Sequence, residues 1–432
     1  MTRKRSSFPI FFGKVRTPLR VIEVQGRIPS NKRNQAASNC KGEVMPIRLV
    51  NPSRDIILAW NNFYSSSTLE IANTNQVTIV SAALVCPNNV VIPLYFGGSR
   101  SKVMAGGDWD VQCDPIYPIQ AAYSQFPVGN YFLRIVQKVP NNGEYFCTVD
   151  ETTANDNVAG SQVVYYDDTL TTISSTDTTG AFSVVSGAAF NSSFGVYFSK
   201  PMMFGHPVND TASYMGFGNS IATGFTPAGD PKPEGGTGAH RTVGGVGVIQ
   251  RMAYNANVNP VPMLNYSISS AQTTLAINNT MWRTFAPRAK YAIVEYGTND
   301  VTSVEIGTIQ TNLQTFWGIL RGLGIKKIMH LKLAVRTTST DNWITEANQT
   351  ALATWAPSPT AVRYQFEQYL ADRLADGTID ALADMGAPVK GVDQDKWAVN
   401  GAADFYTHDG VHPNNVGAPL MAAAARPSMW LT

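Results

Sequence analysis

The chain has 432 residues, too many for one ordinary domain and enough for two or three. With 44% hydrophobic and 15% charged residues it is globular and poor in charge, which excludes a chain disordered throughout. Its net charge of +2, from 33 basic and 31 acidic residues, gives no overall bias toward nucleic acid, and no nucleic-acid partner is expected.

That charge is unevenly spread. Residues 1–33 hold nine Lys or Arg and one acid, Glu23, which leaves 24 basic against 30 acidic residues in the remainder. Residues 1–44 therefore read as a solvated basic arm rather than a polyanion-binding segment. The apolar run Phe8-Pro9-Ile10-Phe11-Phe12 is too short for a secretory core, and Lys14 and Arg16 follow at once, so no signal peptide is expected. No run approaches the ~18 apolar residues of a membrane span, so a soluble protein without a membrane partner is expected. Action outside a cell without a signal would fit a virion-borne enzyme. The four cysteines, Cys40, Cys86, Cys113 and Cys147, all precede residue 150. Their spacing matches no zinc pattern and fits two disulfides or four buried thiols equally well.

Between residues 45 and 150, short β-type runs at 46–49, 55–60, 76–85, 90–96, 131–139 and 144–149 alternate with turn signals such as Pro87-Asn88-Asn89 and Asn141-Asn142-Gly143. Runs at this density predict a β-sandwich or jelly roll. Trp60, Tyr64, Trp109, Tyr117 and Tyr123 are core residues on one reading and a sugar-stacking platform on another. Residues 151–206 continue in β style, with strands expected at 163–166, 182–185 and 195–198, and Pro201 and His206-Pro207 mark a seam. The domains expected are thus a basic arm over 1–44, a β-rich accessory domain over 45–206 and a third domain over 207–432.

The third domain opens on Met215-Gly216-Phe217-Gly218-Asn219-Ser220-Ile221-Ala222-Thr223-Gly224, which reads as a strand breaking sharply into a helix with Ser220 at the corner. A serine there either caps the helix or, with a base in reach, acts as a nucleophile whose own amide helps to hold an oxyanion. The glycine-rich passage from Gly224 to Gly247 holds Lys232, His240 and Arg241, fits neither a P-loop nor a dinucleotide fingerprint, and reads as a long loop near the site. Tyr291-Ala292-Ile293-Val294-Glu295-Tyr296-Gly297-Thr298-Asn299-Asp300 is a short apolar strand ending in a polar turn, from which Asn299 offers a side-chain N–H to an oxyanion. Ile306, Ile309, Leu313, Phe316 and Leu320 recur at helical spacing ahead of a strand at 325–333, and helices are expected over 360–375 and after Pro413. Of five histidines, His412 is the best base, because Asp409 precedes it by three residues on a turn marked by Gly410 and Pro413. That spacing lets the carboxylate meet one ring nitrogen while the other faces a serine.

Gly218-Asn219-Ser220, Gly297-Thr298-Asn299-Asp300 and Asp409-Gly410-Val411-His412-Pro413, in that order, resemble the first, third and fifth sequence blocks of the SGNH (GDSL) hydrolase superfamily. The resemblance covers residues 207–432. Asn219 stands where that family usually has aspartate. Aligned on Asn265, Ser270 falls at the glycine of the second block, whose backbone N–H lines the family's oxyanion hole. The resemblance implies a flavodoxin-like α/β/α fold and acyl-ester hydrolysis without metal or organic cofactor. It implies Ser220, Asp409 and His412 as catalytic residues, with Ser220, Ser270 and Asn299 as the oxyanion hole.

An acylated small molecule or polysaccharide is the partner this implies. A β-rich domain ahead of such a hydrolase favours O-acetyl esters on a carbohydrate. Two other readings stay open: a general short-chain esterase or lipase, and a non-catalytic glycan-binding or virion structural protein on a degenerate scaffold.

Overall fold

The computed structural model describes residues 18–427 apart from positions 25, 30, 35, 37 and 211 and the stretches 149–161, 167–188, 191–200, 225–246 and 254–259. The strands expected at 182–185 and 195–198, the first 17 residues, and Lys232, His240 and Arg241 lie outside the described residues.

The N-terminal region is built of antiparallel sheets. One has four strands in the order Arg20–Val21, Met202–Gly205, Ile57–Trp60, Val111–Gln112. A seven-stranded sheet is centred on Val77–Val85, Gly129–Lys138 and Cys40–Leu49, with Gln162–Tyr166 beyond. Ile47, Leu133 and Val77 of the larger sheet and Leu58, Trp60 and Met203 of the smaller one enter one core. This is why strands whose side chains alternate in and out suffice to bury it. Trp60 is therefore a core residue, 2% exposed and packed on Phe96, and cannot stack on sugar. Trp109 and Tyr117, by contrast, are 47% and 52% exposed. All four cysteines are buried.

The C-terminal half holds a six-stranded, all-parallel sheet in the order Gly26–Arg27, Met263–Ser267, Tyr214–Gly218, Tyr291–Val294, Lys327–Lys332, Ala381–Asp384. Every residue of Tyr214–Gly218 is buried, as a parallel strand covered on both faces requires. On one face Phe217, Val294 and Ile328 pack against Ile309, Leu313, Phe316 and Leu320 of the helix Ile306–Gly322. On the other, Ile293 and Met329 pack against the helices Val248–Ala253 and Gly417–Ala424. The last helix thus begins four residues after Pro413, which sits in the preceding turn and not at the helix start. Among the described residues, no helix is long and apolar enough to cross a membrane.

The basic segment departs from expectation. From Pro18 on it is not an arm but part of the fold, because its apolar residues Val21, Ile22, Val24 and Ile28 are buried in the cores. Gly26–Arg27 forms the edge strand of the parallel sheet, with Ile28 N–H donating to Asn265 O and Met263 N–H to Glu23 O. The two halves are tied again by Glu70, on the hairpin strand Glu70–Ala72. Its carboxylate accepts from Tyr266 Oη (3.0 Å) and from the amides of Thr280, Met281 and Trp282 (2.9, 2.8 and 2.9 Å). Removing the acceptor leaves several partly buried donors unsatisfied, so Glu70→Ala should lower unfolding stability by about 2–3 kcal/mol, measurable by urea titration. An unchanged midpoint would contradict this role.

Candidate active site

Tyr214–Gly218 lies between Met263–Ser267, which follows it in sequence, and Tyr291–Val294, which comes later still. Chain connections therefore leave the carboxyl end of this strand toward opposite sides, which opens a crevice there. The next residues cross that crevice in a tight turn. Gly218 permits it: a Cβ at this position would meet Ala222 Cβ at 2.6 Å and Glu295 Oε2 at 2.7 Å. Asn219 then caps the short helix Ser220–Thr223, its Oδ1 accepting from Ile221 N–H at 3.0 Å. Ser220 is 6% exposed at the corner.

Beneath the turn lies Glu295, fully buried at the end of Tyr291–Val294. Its Oε2 accepts from Asn219 N–H (3.0 Å) and its Oε1 from Asn219 Nδ2 (3.3 Å) and, more loosely, Thr298 Oγ1 (3.5 Å). Burial pushes the Glu295 carboxyl up to about 8, and the hydrogen bonds from Asn219 and Thr298 offset only part of that cost. Asparagine at 219 gives this carboxyl a side-chain N–H in addition to the backbone amide, a donor that an ionised aspartate lacks.

The other wall comes from the loop 407–413. Asp409 Oδ1 accepts from the amides of Val411 (2.9 Å) and His412 (2.8 Å), and Asp409 Oδ2 lies 2.6 Å from His412 Nδ1. Burial alone would raise the Asp409 carboxyl, but bonds from the His412 ring and these amides outweigh it and hold it below the usual carboxylate range. An ionised carboxylate only accepts, so Nδ1 carries the imidazole proton and Nε2 is left as the acceptor. His412 Nε2 lies 2.7 Å from Ser220 Oγ. Gly410 keeps the loop in this shape. Its φ is +76°, and a Cβ there would stand 1.9 Å from Thr337 O. Its carbonyl accepts from Thr337 N–H and from Trp397 Nε1, each at 3.0 Å.

The structure thus joins Ser220, His412 and Asp409 in one hydrogen-bonded chain. Two other histidines, His206 and His408, also face carboxylates, those of Asp55 (2.7 Å) and Asp404 (2.9 Å), and among the described residues neither ring bonds a serine. Burial drives His330 down to about 4, which keeps it neutral in the core. Ser270 and Asn299 also follow the carboxyl ends of strands in the parallel sheet, but no hydrogen bond links them to Ser220. Ser270 is exposed at φ +62°, the left-handed conformation glycine favours, so serine has kept a glycine-like backbone. Asn299 Nδ2 donates to Ala271 O at 3.1 Å, so one of its two N–H groups is engaged and one remains. Among the described residues, no group of three or more His, Cys, Asp or Glu side chains is placed to hold a metal ion. Glu295 escaped the sequence reading, although a charged residue inside the apolar run Tyr291-Ala292-Ile293-Val294-Glu295-Tyr296 was its visible signal.

Residues 214–425 match the family model described as GDSL-like Lipase/Acylhydrolase. No curated protein matches the chain. Among solved structures, a GDSL-like lipase from Bacteroides thetaiotaomicron aligns at 14% identity over 50% of this chain and 87% of its own, with a TM-score of 0.33. A catalytic mutant of an acetylxylan esterase from Geobacillus stearothermophilus aligns at 15% identity over 50% and 94%, also with a TM-score of 0.33. The C-terminal half of this chain belongs to the GDSL-like lipase/acylhydrolase family, and the α/β/α domain it forms is that of an SGNH ester hydrolase.

Proposed function

We propose that the protein is a serine esterase that removes O-acetyl groups from a carbohydrate, with Ser220 as nucleophile, His412 as general base and acid, and Asp409 as the group that orients and charges against His412. The observation that carries this reading is the 2.7 Å approach of His412 Nε2 to Ser220 Oγ, with Asp409 closing the relay. Ser220 Oγ attacks the ester carbonyl carbon as its proton passes to Nε2. The C–O bond of the tetrahedral intermediate then breaks, and His412 hands the proton to the leaving alcohol. Water repeats the sequence on the acyl-enzyme, releases the acid and restores the serine. The amides of Ser220 and Ser270 and the remaining Asn299 N–H are assigned to the oxyanion. The carbohydrate half of the reading is supported by Trp109, an exposed aromatic of the β-rich accessory region. Its Nε1 donates to Thr284 Oγ1 of the hydrolase half at 3.2 Å, and its side chain is 47% exposed.

Hydrolysis of p-nitrophenyl acetate, butyrate and octanoate, alongside acetate release from an acetylated polysaccharide, tests the assignment. Preference for acetate is expected. Ser220→Ala and His412→Ala should each cost on the order of a million-fold in turnover, whereas Asn299→Ala should cost about a hundred- to a thousand-fold. Serine-independent activity, or an unchanged rate in Asn299→Ala, would remove the corresponding roles.

Glu295 supplies a pH dependence of stability with a definite sign. Its carboxyl titrates near 4.5 when exposed and near 8 in the fold, so across that window the native state keeps a proton that the unfolded chain has lost. Stability from this group is complete below the lower value, is lost as pH rises through the upper one, and is flat beyond it. Glu295→Gln mimics the protonated form and should remove this decline. Thermal melts should therefore show the wild type falling progressively below Glu295→Gln across the window. Parallel curves would contradict the raised carboxyl.

A further inference from the structure

Arg336 follows the strand Lys327–Lys332 at the same carboxyl edge of the sheet that carries the active site. It is bracketed by the two sides of that site. Its Nη1 donates to Thr302 Oγ1 at 2.9 Å, and Thr302 donates in turn to Thr298 O, next to Asn299. On the other side the adjoining Thr337 N–H donates to the carbonyl of Gly410, between Asp409 and His412. The guanidinium is partly buried: desolvation pulls its pKa down, and the nearby Asp409 charge pushes back.

Several arginines elsewhere in this half meet a carboxylate, whereas Arg283 donates to the carbonyl of Ile277 instead. Arg288 pairs with Asp110, Arg321 with Asp380, Arg363 with Glu367 and Asp395, and Arg373 with Asp376. Arg336 does not. Among the described residues its guanidinium makes the single bond to Thr302 and has no carboxylate within ion-pair distance. Asp409 is near enough for its charge to act on Arg336 but makes no ion pair with it, its own bonds going to His412 and the loop amides. Four of the five guanidinium N–H groups thus remain, in the planar fork that matches a carboxylate.

We propose that Arg336 is the anion-binding group of the substrate site and selects esters whose alcohol half carries a carboxylate, such as O-acetylated uronic-acid polymers. This rests on the esterase reading and adds its substrate class. The charge contributes to binding rather than to bond breaking, so its loss appears chiefly in KM.

Kinetics on acetylated oligogalacturonate and on neutral acetylated xylo-oligosaccharide, for wild type, Arg336→Gln and Arg336→Lys, test it. Arg336→Gln should lower kcat/KM on the acidic substrate roughly ten-fold or more beyond any loss on the neutral one, mainly through KM, with Arg336→Lys recovering part of it. An equal loss on both substrates, as a purely structural role gives, or a wild type without preference for the acidic ester, would overturn the proposal. Calorimetric binding of unacetylated oligogalacturonate to Ser220→Ala separates this from the esterase reading. Binding that disappears in the Ser220→Ala, Arg336→Gln double variant supports Arg336 whatever the turnover, and binding that is absent or unaffected by Arg336→Gln overturns it. Absence of serine-dependent hydrolysis of any ester would instead overturn the esterase reading alone.

Discussion

A carboxyl group with no exposure to water holds the turn on which everything else depends. Glu295 sits where the strand Tyr291–Val294 ends and takes the backbone and side-chain N–H groups of Asn219, one residue before Ser220. Such bonds are worth more in a dry interior than at a surface, and leaving either partner alone there would cost the full desolvation of a polar group. The turn is thereby pinned to the neighbouring strand of the sheet rather than left to the propensity of a helix only four residues long. Gly218 is part of the same constraint, because any side chain there would displace Glu295.

His412 arrives from far along the chain, and its position is fixed by different means. Backbone amides of the loop hold Asp409, and Asp409 holds the imidazole. Gly410 lets the loop pass against Thr337 and presents its carbonyl to both Thr337 and Trp397. Two rigid supports, one under the serine and one behind the histidine, thus meet across a single hydrogen bond. In the proposed mechanism, preorganisation of this sort places the reacting groups before substrate arrives and avoids reorganisation during proton transfer.

Much of this was legible in the residues themselves. The elbow around Ser220, the polar end of the Tyr291 strand and the Asp409–His412 spacing each encode local geometry, and local geometry is what short motifs carry. The helix over Ile306–Gly322 was visible in its 3,4 spacing, and the strands of the β-rich region in their turns. What escaped depends on distant pairing. The basic composition of the N-terminal segment hid a strand that completes the parallel sheet, because Gly26–Arg27 is defined by its partners Leu264 and Asn265 and not by its own pattern. Trp60 offered the same chemistry to a core and to a sugar, and only its burial between sheets decides. The donor role of the Asn219 amide is likewise hidden from its own segment, because its partner Glu295 lies 76 residues away, just past the strand Tyr291–Val294.

Covalent labelling with a fluorophosphonate, followed by mass spectrometry of the intact chain and its peptides, tests the central claim most directly. A serine activated by His412 displaces fluoride and forms a stable phosphonyl ester, whereas an unactivated hydroxyl does not. The account predicts one adduct per chain, located on Ser220 and lost in His412→Ala. An unlabelled chain, or an adduct on another residue, would contradict it.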